Sequence, residues 1–380
     1  MKGHFKKRGA SWYFWVELEP GPDGKRQQKS QGGFKTRRDA ERAFAELRDE
    51  VRRGVYTTPS KLSLTRYLEE EWLPSVFASV RAATYRNYRD LIIAYVKPSF
   101  GRTLLVNVTP SRLNSYYADL LATGSRSRSG GLAAKTVRNV HSMLHKALSD
   151  AVRWGHLTRN PVDLAEPPKA ERPEMKVWSP DQLRAFIEHT KSDRLAAAWL
   201  LLVTTGMRRG EVLGLAWDSV DVANNRIAVV RSLTVVDYRD VRFTQPKTAK
   251  GRRSVAIDPT TLDALQSHRV RQLEERLRWG AAWNDTGLVF TREDGSALHP
   301  ERLTRWFEQL SRDSGLPRIR LHDLRHSYAT AALAAGIPAK VVSERLGHAS
   351  VMITLDTYSH ILPSMQEDAA STVAKLILEG

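Results

Sequence analysis

The chain has 380 residues, a formal net charge of +17 and a pI of about 10.1. Hydrophobic residues make up 41% and cysteine is absent, so there is length for two or three packed domains and no disulfide, thiolate nucleophile or cysteine-based zinc site. A positive excess this large calls for a polyanionic partner, nucleic acid first; with no long uncharged apolar run and no apolar segment behind the basic Met1–Arg8, no membrane span or secretory signal is expected and the cytoplasm is the expected compartment.

The first element is Ser11–Leu18, in which Trp12, Phe14, Val16 and Leu18 alternate onto one face, the period of a strand. Gly21-Pro22-Asp23-Gly24 is turn chemistry, and Lys25–Ser30 is expected to return as a polar strand. Thr36 and Asp39 are spaced as a capping box ahead of an apolar stripe at helical spacing, Ala40, Phe44, Leu47 and Val51. Residues 1–55 should therefore form a small sheet packed on one helix. Lys25, Arg26 and Lys29 are candidate DNA contacts there, because strands of this size can lie in a major groove. Charge that only protects a sheet edge would look the same.

After a short polar connection the pattern becomes helical: about Leu64–Phe77, Ala82–Val96, Pro110–Ala122 and Ala133–Gly155. The last of these buries Val137, Val140, Leu144 and Leu148 on one face and offers Lys135, Arg138 and Lys146 on the other. These three are candidate phosphate contacts, although a solvated face accounts for each of them equally well. Residues 64–163 are read as one helical domain. Residues 164–178 are read as a linker, since Pro167, Pro168 and Pro173 deny it regular structure. Ser179-Pro180-Asp181 then opens a helix and a final domain, 179–380.

In that domain the apolar helix Leu195–Val203 ends at Thr204-Thr205-Gly206. Arg208 and Glu211 follow at i,i+3 spacing, so the carboxylate can hold the guanidinium in one orientation. A fixed planar guanidinium can donate two bonds to phosphate oxygens, which lysine cannot copy. Strand-like segments come next, at Arg226–Val235, Val241–Gln245 and Ser254–Ile257. On the turn before the last of them, Lys247 and Lys250 are both placed to protonate a leaving oxygen, and nothing local decides between them. The pattern His-x-x-Arg occurs four times. The fourth, His322 and Arg325, is distinguished by its company. It sits in a helix read as Arg320–Ala335, before a break at Gly336-Ile337-Pro338 and a second helix, Ala339–Leu346, capped by Gly347. His348 follows at that turn and Tyr358 ten residues later.

Thr205-Gly206-Met207-Arg208-Arg209-Gly210-Glu211, Pro246-Lys247-Thr248, His322-Asp323-Leu324-Arg325-His326, Leu346-Gly347-His348 and Thr357-Tyr358-Ser359-His360 together resemble the tyrosine recombinases, the phage-integrase family. The resemblance covers about residues 175–372. The helical block looks like the family's core-binding domain, and residues 1–55 look like the arm-type DNA-binding module of integrases from phages and integrative elements. The implied fold class is mainly α with small β-sheets: a β-sheet-plus-helix module, a four-helix core-binding domain and a mixed α+β catalytic domain with a C-terminal docking helix.

The implied activity is site-specific DNA strand breakage and rejoining through a 3′-phosphotyrosyl intermediate, independent of metal and ATP and without a cofactor. By resemblance Tyr358 is the nucleophile, Arg208 and Arg325 hold the phosphate, and Glu211 supports the first arginine. Lys247 protonates the departing 5′-oxygen, which resolves the tie with Lys250. His322 takes or relays the tyrosine proton, and His348 bonds a phosphate oxygen. Implied partners are double-stranded DNA at core and arm attachment sites, three further copies in a homotetramer on DNA, an excisionase and a host DNA-bending protein. A chromosome-dimer resolvase or a type IB topoisomerase-like enzyme would share the chemistry, and a DNA-binding regulator would lack it. Residues 1–55 favour the integrase of a mobile element.

Overall fold

The computed structural model describes residues 3–18, 27–52, 61–125, 130–171, 175–237, 240–245 and 251–358, with Ala374, Ile377 and Leu378. The chain divides into two compact units, Met1–Arg172 and Pro173–Gly380.

In the first unit β1 (Gly3–Arg8), β2 (Ser11–Leu18) and β3 (Gln27–Phe34) form an antiparallel sheet in that order. Phe14 and Val16 of β2 are buried against Ala40 and Leu47 of α1 (Arg37–Arg52). The Thr36 hydroxyl accepts from the Asp39 amide at the start of that helix. β1 is hidden in the sequence because its one phenylalanine, Phe5, which pairs with Phe14, stands among basic residues and no apolar alternation is left to read. Lys29 pairs with Val16. Directly paired residues share a face, so Lys29 lies on the helix-covered side. The open side carries His4, Lys6, Tyr13 and Trp15, with His4 stacked on Trp15. Lys25 and Arg26, with the turn before them, lie outside the described residues.

The helical block contains α2 (Leu64–Arg66) and α3 (Leu73–Val76), joined through π-helical turns at Tyr67–Trp72. Then come α4 (Ala82–Leu91), continued through Ile92–Val96 into α5 (Lys97–Phe100), α6 (Pro110–Thr123) and α7 (Ala134–Arg153). Their apolar faces meet in one core around Tyr67, Trp72, Ile92, Phe100, Val140 and Leu144. Two of its large aromatics have their polar tips satisfied: Tyr67 donates to the Ala147 carbonyl and Trp72 Nε1 to Asp150, each at 2.8 Å.

The boundary between the two units, after Arg172, falls inside the segment expected as a linker. Trp178 is buried, its indole donating to the Pro317 carbonyl and its amide to the Ser327 hydroxyl. Ser179 and Gln182 cap α8 (Pro180–His189) reciprocally. α9 (Ala196–Thr205) and α10 (Arg209–Leu213) follow. β4 (Val220–Asp221), β5 (Arg226–Val229) and β8 (Arg253–Ala256) make one small sheet, β6 (Ser232–Asp237) and β7 (Asp240–Thr244) another. The single strand expected over 226–235 is thus two strands in two sheets. Buried Ile227, Val229 and Leu233 keep one period of two across the break, so alternation alone conceals it.

α11 (Pro259–Trp279), α12 (Pro300–Asp313), α13 (Asp323–Ala334), α14 (Ala339–Leu346) and α15 (Val351–Tyr358) complete the described fold. The helix expected from Arg320 begins at Asp323, whose carboxylate accepts the Arg320 amide at 2.8 Å and holds the preceding residues in a turn. The expected C-terminal docking helix, over about Ser364–Leu378, lies almost wholly outside the described residues. Among those described, no helix is long and apolar enough to cross a membrane.

Candidate active site

Two helix ends build the site. α9 stops at Gly206, which is left-handed with φ 64°, and α14 stops at Gly347, also left-handed with φ 66°. Helix C-termini leave carbonyls without intrahelical partners and carry partial negative charge. Here guanidiniums satisfy them. Arg325, on the first turn of α13 and buried, donates to the carbonyls of Gly206 and Leu346, both at 2.7 Å. Arg208 donates to the Gly347 carbonyl at 3.2 Å. Its side chain is 40% exposed, which leaves one guanidinium at the surface beside one that is sunk.

Glu211 fixes Arg208. Its carboxylate takes the Arg208 guanidinium at 2.7 Å and the Arg208 amide at 2.9 Å. Arg253 of β8 binds the same carboxylate, at 2.9 Å and 3.2 Å to its two oxygens. Burial pushes the Glu211 carboxyl up, but the bonds and charge of Arg253 and the charge of Arg208 outweigh it and hold it below the usual range. Arg253 was not foreseen, although a signal existed: it falls in register with Val255 and Ile257, two apart each time, on the buried side of its strand.

The tyrosine lies across from Arg325. Tyr358, at the end of α15, is buried, and its hydroxyl is 2.7 Å from Nδ1 of His326. Burial pushes the phenol up to about 12 against the opposing charge of Arg325. His326 is lowered by burial, with Asp323 raising it and Arg325 and Arg320 lowering it further. A neutral imidazole facing a protonated phenol means that the O–H donates and Nδ1 accepts. His326 is the second residue that sequence reasoning passed over, although it stands one position after Arg325. His322, at the N-terminus of α13, meets His326 ring to edge at 5.2 Å, and partial burial and the neighbouring His326 and Arg325 lower it. His348 shares a hydrogen bond with Thr354 at 2.8 Å. Burial and then Arg325 and Arg208 bring it down to about 4. Burial also pulls Arg325 down to about 9, with Arg208 adding to the effect and Glu211 opposing it, which leaves it cationic at neutral pH.

Arg208, Glu211, His322, Arg325, His348 and Tyr358 are therefore drawn into one cluster from α10, α13, the α14–α15 turn and α15. Lys247 lies outside the described residues. On α7, Lys135 is exposed, Arg138 donates to the Pro168 carbonyl at 3.3 Å and Lys146 sits 3.6 Å from Asp150. Three arginines against one carboxylate give the pocket a net positive charge. An anion with several oxygens suits it, a phenol stands beside it, and neutral imidazoles are ready to accept protons.

The model of the phage integrase family matches residues 176–365, half of the chain, and that of an arm DNA-binding domain matches residues 4–51. The chain belongs to the phage integrase family. As a member it is a tyrosine recombinase, an enzyme that cleaves and rejoins DNA. Among its relatives are a XerC-like tyrosine recombinase of Caldanaerobacter subterraneus subsp. tengcongensis, 29% identical with 99% of each chain covered, and the ICEBs1 integrase of Bacillus subtilis, 28% identical over 90% of this chain and 91% of the relative. In fold it is similar to the Tn1549 transposon integrase solved with transposon right end DNA. That likeness has a TM-score of 0.67 at 19% identity and covers 81% of this chain and 100% of the other.

Proposed function

We propose that this phage integrase family member integrates and excises a mobile genetic element at specific sites, with Tyr358 as its nucleophile. The observation that carries the reading is the juxtaposition of two guanidiniums anchored on helix-terminal carbonyls with a buried phenol beside them. Arg208 and Arg325 neutralise the scissile phosphate and the charge that grows on it. Each preorganised donor of this kind is worth about 3–4 kcal/mol of barrier. His348 bonds a non-bridging oxygen, His322 takes or relays the tyrosine proton, and Lys247 protonates the departing 5′-oxygen. The phosphodiester energy is kept in the 3′-phosphotyrosyl link, so rejoining needs no nucleotide.

A relative named ICEBs1 integrase and a fold neighbour named a transposon integrase support the mobile-element reading. Residues 1–55 would bind arm sites and residues 64–163 core sites, with 164–178 between the latter and the catalytic domain. Four copies would act together on DNA, aided by an excisionase and a host DNA-bending protein. Lys29, Lys135, Arg138 and Lys146 are proposed DNA contacts, as are Lys25 and Arg26.

The test uses duplexes spanning the junctions that flank the gene in its host DNA. Wild type should form a denaturant-stable covalent adduct on them. Tyr358→Phe should bind the same duplexes and form none. An adduct of undiminished yield with the phenylalanine variant would exclude Tyr358 as the nucleophile.

A further inference from the structure

Tyr358 points its hydroxyl at a histidine that none of the assigned roles uses. Nδ1 of His326 lies 2.7 Å from the phenolic oxygen, and the two rings are 5.8 Å apart. His322, the residue expected to take the proton, packs on His326, the two imidazoles perpendicular at 5.2 Å. We propose that His326 accepts the proton of Tyr358 as the phenol attacks, and that His322 stands behind it to pass the charge onward. This rests on the reading of Tyr358 as nucleophile.

The geometry is fixed by the helix. His326 follows Arg325 directly on α13, so the residue that anchors the phosphate and the residue that takes the proton are set by one backbone. Because Nδ1 accepts from the phenol, the ring's own proton is on Nε2. In the step, the Tyr358 O–H bond breaks and its proton passes to Nδ1, giving an imidazolium. The electron pair of that bond goes to the new oxygen–phosphorus bond. The phosphorus–5′-oxygen bond breaks and the leaving oxygen takes a proton from the general acid.

Charges facing His326 come from three elements. Asp323, Arg325 and His322 are on or at the start of α13, with Arg320 just before it. His348 is on the α14–α15 turn and Tyr358 on α15. In the DNA-free chain burial, with Arg325 and Arg320 adding to it against Asp323, lowers the proton affinity of the imidazole, so Nδ1 is open to accept. A phosphate held by Arg208 and Arg325 offsets their charge and strengthens the base when the substrate arrives.

The test measures adduct formation by the full chain on nicked junction duplexes across the histidine range, about pH 5 to 8. Asparagine at position 326 places an acceptor near Nδ1 but cannot carry the proton away. His326→Asn should bind DNA and unfold as wild type does. Its adduct rate should fall about a hundredfold, and the acid limb of the wild-type profile should vanish. A variant within about threefold of wild type, with the acid limb intact, overturns the proposal.

A measurement on the wild-type chain needs no variant at this position to fold. With tyrosines labelled at Cζ and Tyr358→Phe used for assignment, the Tyr358 resonance should move as His326 protonates. A resonance indifferent to that titration also overturns the proposal. If wild type forms no adduct at any pH, the nucleophile reading itself falls. That result differs from an active wild type matched by His326→Asn, which removes His326 alone.

Discussion

Arg253 forks onto both oxygens of the carboxylate that also holds Arg208, so one buried glutamate, Glu211, ties a hidden arginine to a half-exposed one. Removing one member of such a group leaves an uncompensated buried charge. Glu211→Ala is expected to cost about 3–5 kcal/mol of stability, read from urea unfolding. The folded-state carboxyl lies below its ordinary value. Its contribution is therefore complete above the unfolded value, about 4.3, and is lost as pH falls through the lower folded one. The stability difference between wild type and variant should hold near neutral pH and shrink only below about pH 4.

Much of this site was legible because its residues sit where local rules are strong. Gly206 and Gly347 read as helix stops, Arg208 and Glu211 read as a spaced pair, and both readings describe the structure. Arg253 was missed because it serves a partner 42 positions away, and no short-range pattern encodes that distance. The helix at His322 was drawn one turn too long because the apolar pattern does not show that Asp323 spends its carboxylate on the Arg320 amide. In the N-terminal sheet Lys29 is expected on a strand that could lie in a groove, but which face of the sheet it occupies is not visible in the sequence. Strand register, which places it opposite buried Val16, is a property of pairing and cannot be read from one strand.

Gly206 is held by more than its backbone. Its φ is 64°, and a Cβ there would stand 2.6 Å from the Tyr328 ring and 2.7 Å from Leu346. Gly206→Ala combines left-handed strain with overpacking and is expected to cost at least about 2 kcal/mol. It should also slow adduct formation, because the Gly206 carbonyl anchors Arg325. Gly336 has φ 79° and nothing within 4 Å of a built Cβ. Gly336→Ala should therefore show only the strain of the left-handed backbone, about 1–2 kcal/mol. Thermal unfolding of the two variants side by side checks the difference.

His348 is brought down to about 4 by burial and by Arg325 and Arg208. A bound phosphate opposes the arginines, so the bound state has the higher proton affinity. DNA binding should then take up protons, and affinity should rise as pH is lowered through the histidine range, about 8 to 6. Calorimetry of Tyr358→Phe with junction duplex, in two buffers of different ionisation heat, measures the uptake. Adding His348→Asn should reduce it at constant salt. An uptake that the second substitution leaves unchanged would place the titrating group elsewhere.

Arg325 tests the demand for a planar fork. It donates to two carbonyls, those of Gly206 and Leu346, at the ends of two different helices, and in the proposed role it also meets phosphate. A single ammonium cannot span both carbonyls and present a second donor to the ligand. Arg325→Lys should keep much of its DNA affinity, since charge at the site is preserved. It should lose adduct formation by about 10²–10³. Arg325→Ala should in addition lose stability, because two buried carbonyls are left without partners at about 1–3 kcal/mol each. Urea unfolding separates the two variants. A lysine variant with wild-type cleavage would mean that charge alone suffices at this position.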